Sequence, residues 1–112
     1  MDRLLNYTPH RNLAYLTSDG GLVPLPPLGN ARAEVEREPS GTLAVEGGLP
    51  VYAVRYGEVR GLPDPTPGVY LVVSMLVAQL LPEREDLVFP DELVRDEEGT
   101  IIGFTSVGRL QR

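Results

Sequence analysis

Cysteine and lysine are both absent from this chain of 112 residues. Without cysteine the chain has no disulfide, no thiolate nucleophile and no cysteine-based zinc site. Its longest apolar stretch, residues 69–81, contains Ser74 and Gln79 and falls short of the ~20 residues that a membrane span needs. The first ten residues lack the apolar core and the small-residue cleavage site of a signal peptide. We therefore expect a cytoplasmic protein without membrane contact.

Positive charge is also scarce. The chain has ten basic residues, all arginine, and sixteen acidic residues, which gives a formal net charge of −6. This field repels a phosphate backbone and disfavours nucleic acid as the main partner. A small anionic ligand in a local arginine pocket is still compatible with the composition. Residues 96–99 are acidic but lack the alternating oxygen ligands of a calcium loop, so the sequence predicts neither a metal site nor a cofactor.

Glycine and proline, by contrast, are abundant. Twelve glycines and eleven prolines divide the chain into short segments and disfavour long helices. Residues 12–17 and 22–26 flank Ser-Asp-Gly-Gly and predict a hairpin, as do residues 92–96 and 100–107. Because proline cannot donate a hydrogen bond to a neighbouring strand, Pro24 places its strand at a sheet edge.

The middle of the chain predicts further strands. Residues 31–37 alternate small or apolar residues with charged ones, which is typical of a half-solvated strand. Residues 42–46 and 49–57 flank a Gly-Gly turn and predict another hairpin. Tyr52 and Tyr56 share one face of the second strand, and we expect them in the core or at its edge.

These elements predict one domain, residues 1–112, of mainly β (α+β) class. We expect a small β-sandwich or open barrel of short antiparallel strands with one short buried helix. Residues 61–68 contain three prolines and two glycines and predict a stiff loop that crosses the domain. Residues 108–112 are expected to form a loose tail.

The helix is predicted at about 74–82. Residues 69–73 are almost all β-branched or aromatic and predict a buried strand, whereas residues 75–81 are mostly strong helix formers. Ser74 lies at the junction, where its oxygen can accept an otherwise unpaired backbone N–H, and Pro82 prevents continuation of the helix. We expect this helix to be buried nearly all round.

The start of the helix is also the candidate binding site. Free N–H groups and the positive end of the helix dipole favour an anion there, next to Ser74 and Met75. Arg84 and Asp86 lie two residues apart in an extended segment and share a face. Such an arginine makes either a local ion pair or a bidentate contact to the backbone or to a ligand. A plain structural cap and a solvated charge run are the alternatives for these two segments.

His10 is the only histidine, and it follows Thr8, which Pro9 holds extended. A histidine can act as a general base when a nucleophile and an orienting group lie close to it. Ser74, Thr8 or Thr105 would supply the first and Asp86 or Asp96 the second if the fold brought them together, which the spacing does not require. A surface or structural histidine is the alternative.

Three segments together resemble a family of small proteins encoded by bacteriophages, prophages and actinobacterial genomes. They are NYTPH at residues 6–10, PVYAVRYGEVRGLP at residues 50–63 and the long segment 68–103 that includes YLVVS, PEREDL, VRD and GTIIG. The residues that match the pattern are Thr8, Pro9, His10, Ser74, Arg84, Asp86, Arg95, Asp96 and Gly103. Phe104 departs from it, since a small residue or cysteine is expected there. The resemblance implies no catalytic role; it implies a viral accessory protein that binds a host factor or a defence signal.

Two main function hypotheses follow. The first is a non-enzymatic, phage-type accessory protein that binds a small anionic, nucleotide-like ligand and sequesters a defence signal in the cytoplasm of a bacterial host. The second is an acidic inhibitor that docks on a host enzyme with its acidic surface or an open strand edge. A histidine-based hydrolase is a remote third, and a homo-oligomer is compatible with all three. The residues expected to bind the ligand are Ser74, Met75, Arg84, Asp86, Thr8 and His10.

Overall fold

A computed structural model describes residues 1–111, which form eight strands and one short helix. The elements are β1 (Arg3–Asn6), β2 (Ala14–Leu16), β3 (Leu22–Pro24), β4 (Arg32–Leu43), β5 (Leu49–Arg60), β6 (Val69–Val72), α1 (Met75–Leu80), β7 (Leu87–Arg95) and β8 (Ile101–Gly108). The predicted mainly β fold with one short helix is confirmed. No helix in this part of the chain is long and apolar enough to span a membrane.

Six strands form one curled sheet in the order β1-β6-β7-β8-β2-β3. The prediction that the strands would all be antiparallel is wrong, because β1, β6 and β7 run parallel and β2 meets β8 in a parallel pair. For β6 and β7 the physical reason lies in α1, which carries the chain from the end of β6 back to the start of β7. Parallel neighbours require such a crossover.

Both terminal hairpins are confirmed. β2 pairs with β3 through the Ser-Asp-Gly-Gly turn, in which Gly20 has φ +90°. Pro24 ends β3, which is an edge strand of the sheet as predicted. β7 pairs with β8, and Gly99 supplies the positive φ of +86° in their turn.

The separation of residues 31–37 from residues 42–46 is wrong, because the strand that begins in the first segment, β4, continues without a break to Leu43 in the second. The register shifts between Pro39 and Thr42, and Gly41 has φ +97°. A glycine bulge absorbs the extra residue and lets pairing continue, whereas glycine in the sequence predicted a break. β4 and β5 therefore form one hairpin with twelve residues in each strand, which we call the arm.

The arm extends the molecule. The Cα radius of gyration is 17.3 Å, against about 13 Å for a compact domain of this length. Only the base of the arm reaches the core, where Ala31 is buried and Val59 packs against the residues beneath α1. Gly61, with φ +95°, then turns the chain into the loop of residues 61–68, which has no regular structure, as predicted.

The core occupies both faces of the sheet, because successive residues of a strand point to opposite faces. On one face Leu71, Val73 and Leu87 pack against α1, and on the other Val72 packs with Phe104. The helix buries only one side, since Val77 and Ala78 are buried but Met75 is 50% exposed. The expectation of a helix buried nearly all round is wrong.

The tail was expected to be loose. β8 extends to Gly108, Leu110 packs against the core beside α1, and Arg109 lies over the ring of Tyr70. Arg112 lies outside the described residues.

Candidate functional site

Ser74 caps α1 as predicted. Its backbone is extended (φ −68°, ψ 156°), and its Oγ accepts a hydrogen bond from the Val77 N–H at 3.3 Å. This bond satisfies one of the N–H groups that have no partner inside a helix. The Ser74 hydroxyl is therefore engaged in folding, while Met75 beside it points half into solvent.

Thr8 belongs to a buried turn. Asn6 is 1% exposed and Thr8 4% exposed. The Asn6 side-chain oxygen accepts hydrogen bonds from the Thr8 N–H (2.8 Å) and the Thr8 hydroxyl (2.7 Å). The Asn6 amide donates to the carbonyls of His10 and Leu25, both at 2.9 Å. The Thr8 hydroxyl in turn accepts a bond from the His10 N–H at 3.2 Å. The Asn-Tyr-Thr-Pro-His segment thus forms a self-satisfied structural turn, with His10 exposed at its end.

Arg84 and Asp86 form a bidentate ion pair. The Arg84 Nε and Nη2 donate to the two carboxylate oxygens at 2.8 Å each, and Nη2 also donates to the Pro63 carbonyl at 3.0 Å. The two side chains are only 19% and 13% exposed. Of the two alternatives for this arginine, the structure shows the ion pair. The pair joins the proline-rich loop to the start of β7.

The pair also shifts both ionisations. The hydrogen bonds from Arg84 lower the pKa of Asp86 below its usual value, although burial opposes them. The same bonds raise the pKa of Arg84. Both groups are therefore held in their charged forms, which stabilises the folded chain at neutral pH.

The six predicted ligand residues do not form one site. β1 and β6 are parallel and Asn6 pairs with Val72, so Thr8 and His10 follow the same end of the sheet as Ser74 and Met75. Asp86 precedes β7, and its carbonyl accepts from the Leu71 N–H at 2.8 Å. This places Arg84 and Asp86 at the opposite strand ends, about 13 Å from Ser74 along the strand direction.

A cleft of about 560 Å³ lies on the Arg84 side. Two arginines, Arg84 and Arg109, line it together with three carboxylates, Glu83, Glu85 and Asp86. The negative charges outnumber the positive ones, and Arg84 already holds a carboxylate of its own chain. The charge in this cleft opposes an anionic ligand.

The sequence did not point to the most distinctive surface, which is one face of the arm. Val35 pairs with Tyr56, Arg37 with Val54 and Pro39 with Tyr52. Paired residues share a face, as do residues two apart in a strand, so all six side chains lie on the same side. We call this side the apolar face.

The apolar face is open. Its four largest apolar side chains, Val35, Val54, Tyr52 and Tyr56, are 53%, 48%, 45% and 43% exposed. The Arg37 guanidinium lies 4.5 Å from the centre of the Tyr52 ring, a cation–π contact. The expectation of Tyr52 and Tyr56 as core residues is wrong, because alternation reveals a shared face but not whether anything covers it.

The opposite face of the arm is charged. Glu36 pairs with Arg55, and their charged groups are 4.0 Å apart. Arg60 contacts both Glu34 and Glu58 near the base of the arm. Over residues 34–39 and 52–56 the arm is thus an amphipathic ribbon with one charged face and one apolar face, whereas nearer its tip the exposed Leu43 and Leu49 lie on the charged side.

Metal chemistry has no support in the described part of the chain, since no three histidine or acidic side chains there are placed to hold an ion. No family model, curated protein or solved structure matches the sequence.

Proposed function

We propose that this protein acts by binding another protein through the apolar face of the arm. The observation that carries the proposal is the set of Val35, Tyr52, Val54 and Tyr56, exposed together on one side of a long ribbon. Their exposed surface is on the order of 400 Å², the size at which apolar patches on monomers are often functional. Burial of this apolar surface against a partner supplies the hydrophobic effect, which is the main driving force for protein association.

The shape of this surface favours a protein over a small molecule. Small ligands bind in concave sites that enclose most of their surface, whereas the face of a two-stranded ribbon is open on both sides. Its composition also fits a protein interface, since tyrosine and arginine are enriched among the residues that dominate such interfaces. Tyr52, Tyr56 and Arg37 supply these types at the centre of the face.

The resemblance to phage and prophage proteins adds that the partner is a bacterial host protein. The contact surface of this partner is apolar at its centre, where it covers Val54, Tyr52 and Tyr56. The second function hypothesis, an acidic inhibitor of a host enzyme, shares the protein partner with this proposal but relies on an acidic surface or an open strand edge instead of the apolar face. Binding of a nucleotide-like ligand stays a prediction, with weaker support because Ser74 and Arg84 lie at opposite strand ends and both are engaged within the chain.

Two variants with the same change in net charge test the proposal. Val35→Arg adds a positive charge to the apolar face, whereas Glu38→Gln removes a negative charge from the other face, where Glu38 pairs with Ala53. The tagged proteins are incubated with host lysate, and any retained protein is purified and titrated. We expect Val35→Arg to weaken its binding at least tenfold and Glu38→Gln to leave it unchanged. Equal binding by all three proteins would overturn the proposal.

A further inference from the structure

The two outer edges of the arm differ in how they are protected. Each strand of this ribbon pairs with only one neighbour among the described residues, so each has an edge of unpaired backbone groups. The edge of β4 carries Glu34, Glu36, Glu38 and Pro39 and then a bulge at Gly41. Charges, proline and bulges are the devices by which proteins prevent association at strand edges.

The edge of β5 lacks these devices between Val51 and Tyr56. This segment reads Val-Tyr-Ala-Val-Arg-Tyr, with a single charge and no proline. Residues 52–56 pair with β4 without a register shift, so the strand is regular along this length. A regular edge rich in β-branched and aromatic residues is a template for another strand.

We propose that this edge pairs with the same edge of a second copy of the chain, antiparallel about a two-fold axis at Val54. The two arms then form one four-stranded sheet. A lone two-stranded ribbon is marginal in water, whereas more strands with an apolar face are stable. A two-fold contact is also closed, because each β5 edge pairs with the other and no β5 edge is left to add further copies.

The sequence of β5 fits itself in this register. Tyr52 lies opposite Tyr56 of the second copy, and Arg55 lies opposite Ala53 of the second copy. Aromatic pairs stabilise a sheet, and no like charges are opposed. An axis at Arg55 would set two arginines directly opposite each other. An axis at Ala53 would set Tyr52 opposite Val54 and Tyr56 opposite Pro50, so the aromatic pair would be lost.

The apolar faces of both copies lie on the same side of this joined sheet, because directly paired residues share a face. The dimer therefore presents Val35, Tyr52, Val54 and Tyr56 twice, as one wider surface. The dimer does not rest on the proposed function, since the edge and the face are different surfaces. Each copy carries a net charge of −6, so we expect salt to tighten the dimer by screening repulsion.

Sedimentation separates the 12.2 kDa monomer from a dimer of twice that mass. Ala53→Arg forms a favourable pair with Glu38 inside one arm but faces Arg55 of the second copy at two symmetric positions. We expect it to weaken the dimer about tenfold. Adding Arg55→Gln removes both repulsive contacts without setting like charges opposite each other inside the arm, and should restore the dimer. Val35→Arg, one strand away from the edge, should leave it intact.

Single cysteines test the register, because the natural chain has none. Val54→Cys places the two thiols at the axis, within reach of a disulfide or a short cross-linker. Val35→Cys places them on the two outer strands of the joined sheet, with both β5 strands between them. We expect covalent dimers from the first variant only. A monomer at about 100 µM, an Ala53→Arg variant that dimerises like the natural chain, or cross-linking at position 35 but not 54 would each overturn the proposal.

The two proposals fail separately. If the protein is monomeric but Val35→Arg loses the host protein, the edge pairing is wrong and the function of the apolar face stands. If Ala53→Arg weakens the dimer and Val35→Arg keeps the host protein, the reverse holds.

Discussion

Replacing Arg84 by alanine should destabilise the protein by about 2 kcal/mol. The substitution removes three hydrogen bonds, two to the Asp86 carboxylate and one to the Pro63 carbonyl. It leaves a carboxylate that is 13% exposed without its counter-charge. Breaking a fully buried pair in this way costs about 3–5 kcal/mol, and partial solvent access reduces that figure. If Arg84 were an exposed surface arginine, it would contribute little to the free energy of unfolding. The size of the measured loss therefore tests whether the ion pair with Asp86 is buried.

The assay is urea unfolding followed by circular dichroism. With an unfolding slope of about 1–2 kcal/mol per molar urea, the midpoint should fall by about 1–2 M. Arg60→Ala is the matched control, because Arg60 pairs with Glu34 but both side chains are well exposed. We expect little change from this control. A midpoint for Arg84→Ala no lower than that for Arg60→Ala would refute the reasoning.

The same pair predicts a pH dependence. The folded-state pKa of Asp86 is lowered, so its contribution is fully present above the ordinary carboxyl pKa of about 3.9 and is lost as the pH falls through the lowered value. The stability difference between the natural chain and Asp86→Asn should therefore shrink below about pH 4. A difference that stays constant from pH 7 to pH 3 would contradict this assignment.

Four further outcomes are expected, each measured by urea unfolding or thermal shift. Ser74→Ala should cost about 1 kcal/mol as a lost helix cap. Asn6→Leu should cost about 3 kcal/mol, because it leaves several buried partners without hydrogen bonds. Gly61→Ala should lower the melting temperature, since its Cβ would lie 2.4 Å from the Asn30 carbonyl oxygen at a φ of +95°. Nucleotides at 100 times their Kd should stabilise by about 2.7 kcal/mol if the ligand hypothesis holds, and no shift from any of them would remove it.

The sequence allowed the local elements to be predicted because their signals are local. Ser74 and Pro82 bracket α1 within a single short segment, and the glycine-rich turns define the terminal hairpins. The parallel order of β6 and β7 was missed, although a strand followed by a helix and another strand is the pattern of a crossover. The parallel order separates the residues of the predicted site, because it places Ser74 and Arg84 at opposite strand ends.

The arm was missed for a different reason. Ser40 and Gly41 have the composition of a loop, and only the pairing of both flanks with β5 identifies them as a bulge. The alternation of Tyr52, Val54 and Tyr56 correctly placed them on one face. Whether another layer covers that face depends on the whole fold, which no local pattern encodes.

Photo-cross-linking shows directly whether a host protein covers the apolar face of the arm. A photoreactive amino acid replaces Val35 on this face or Glu36 on the charged face, and the protein is irradiated in bacterial host cells. Position 35 lies on the strand away from the β5 edge, so its adducts report on what covers the face. We expect one host-protein adduct from position 35 and none from position 36. Host-protein adducts of equal yield from both positions, or none from position 35, would contradict it.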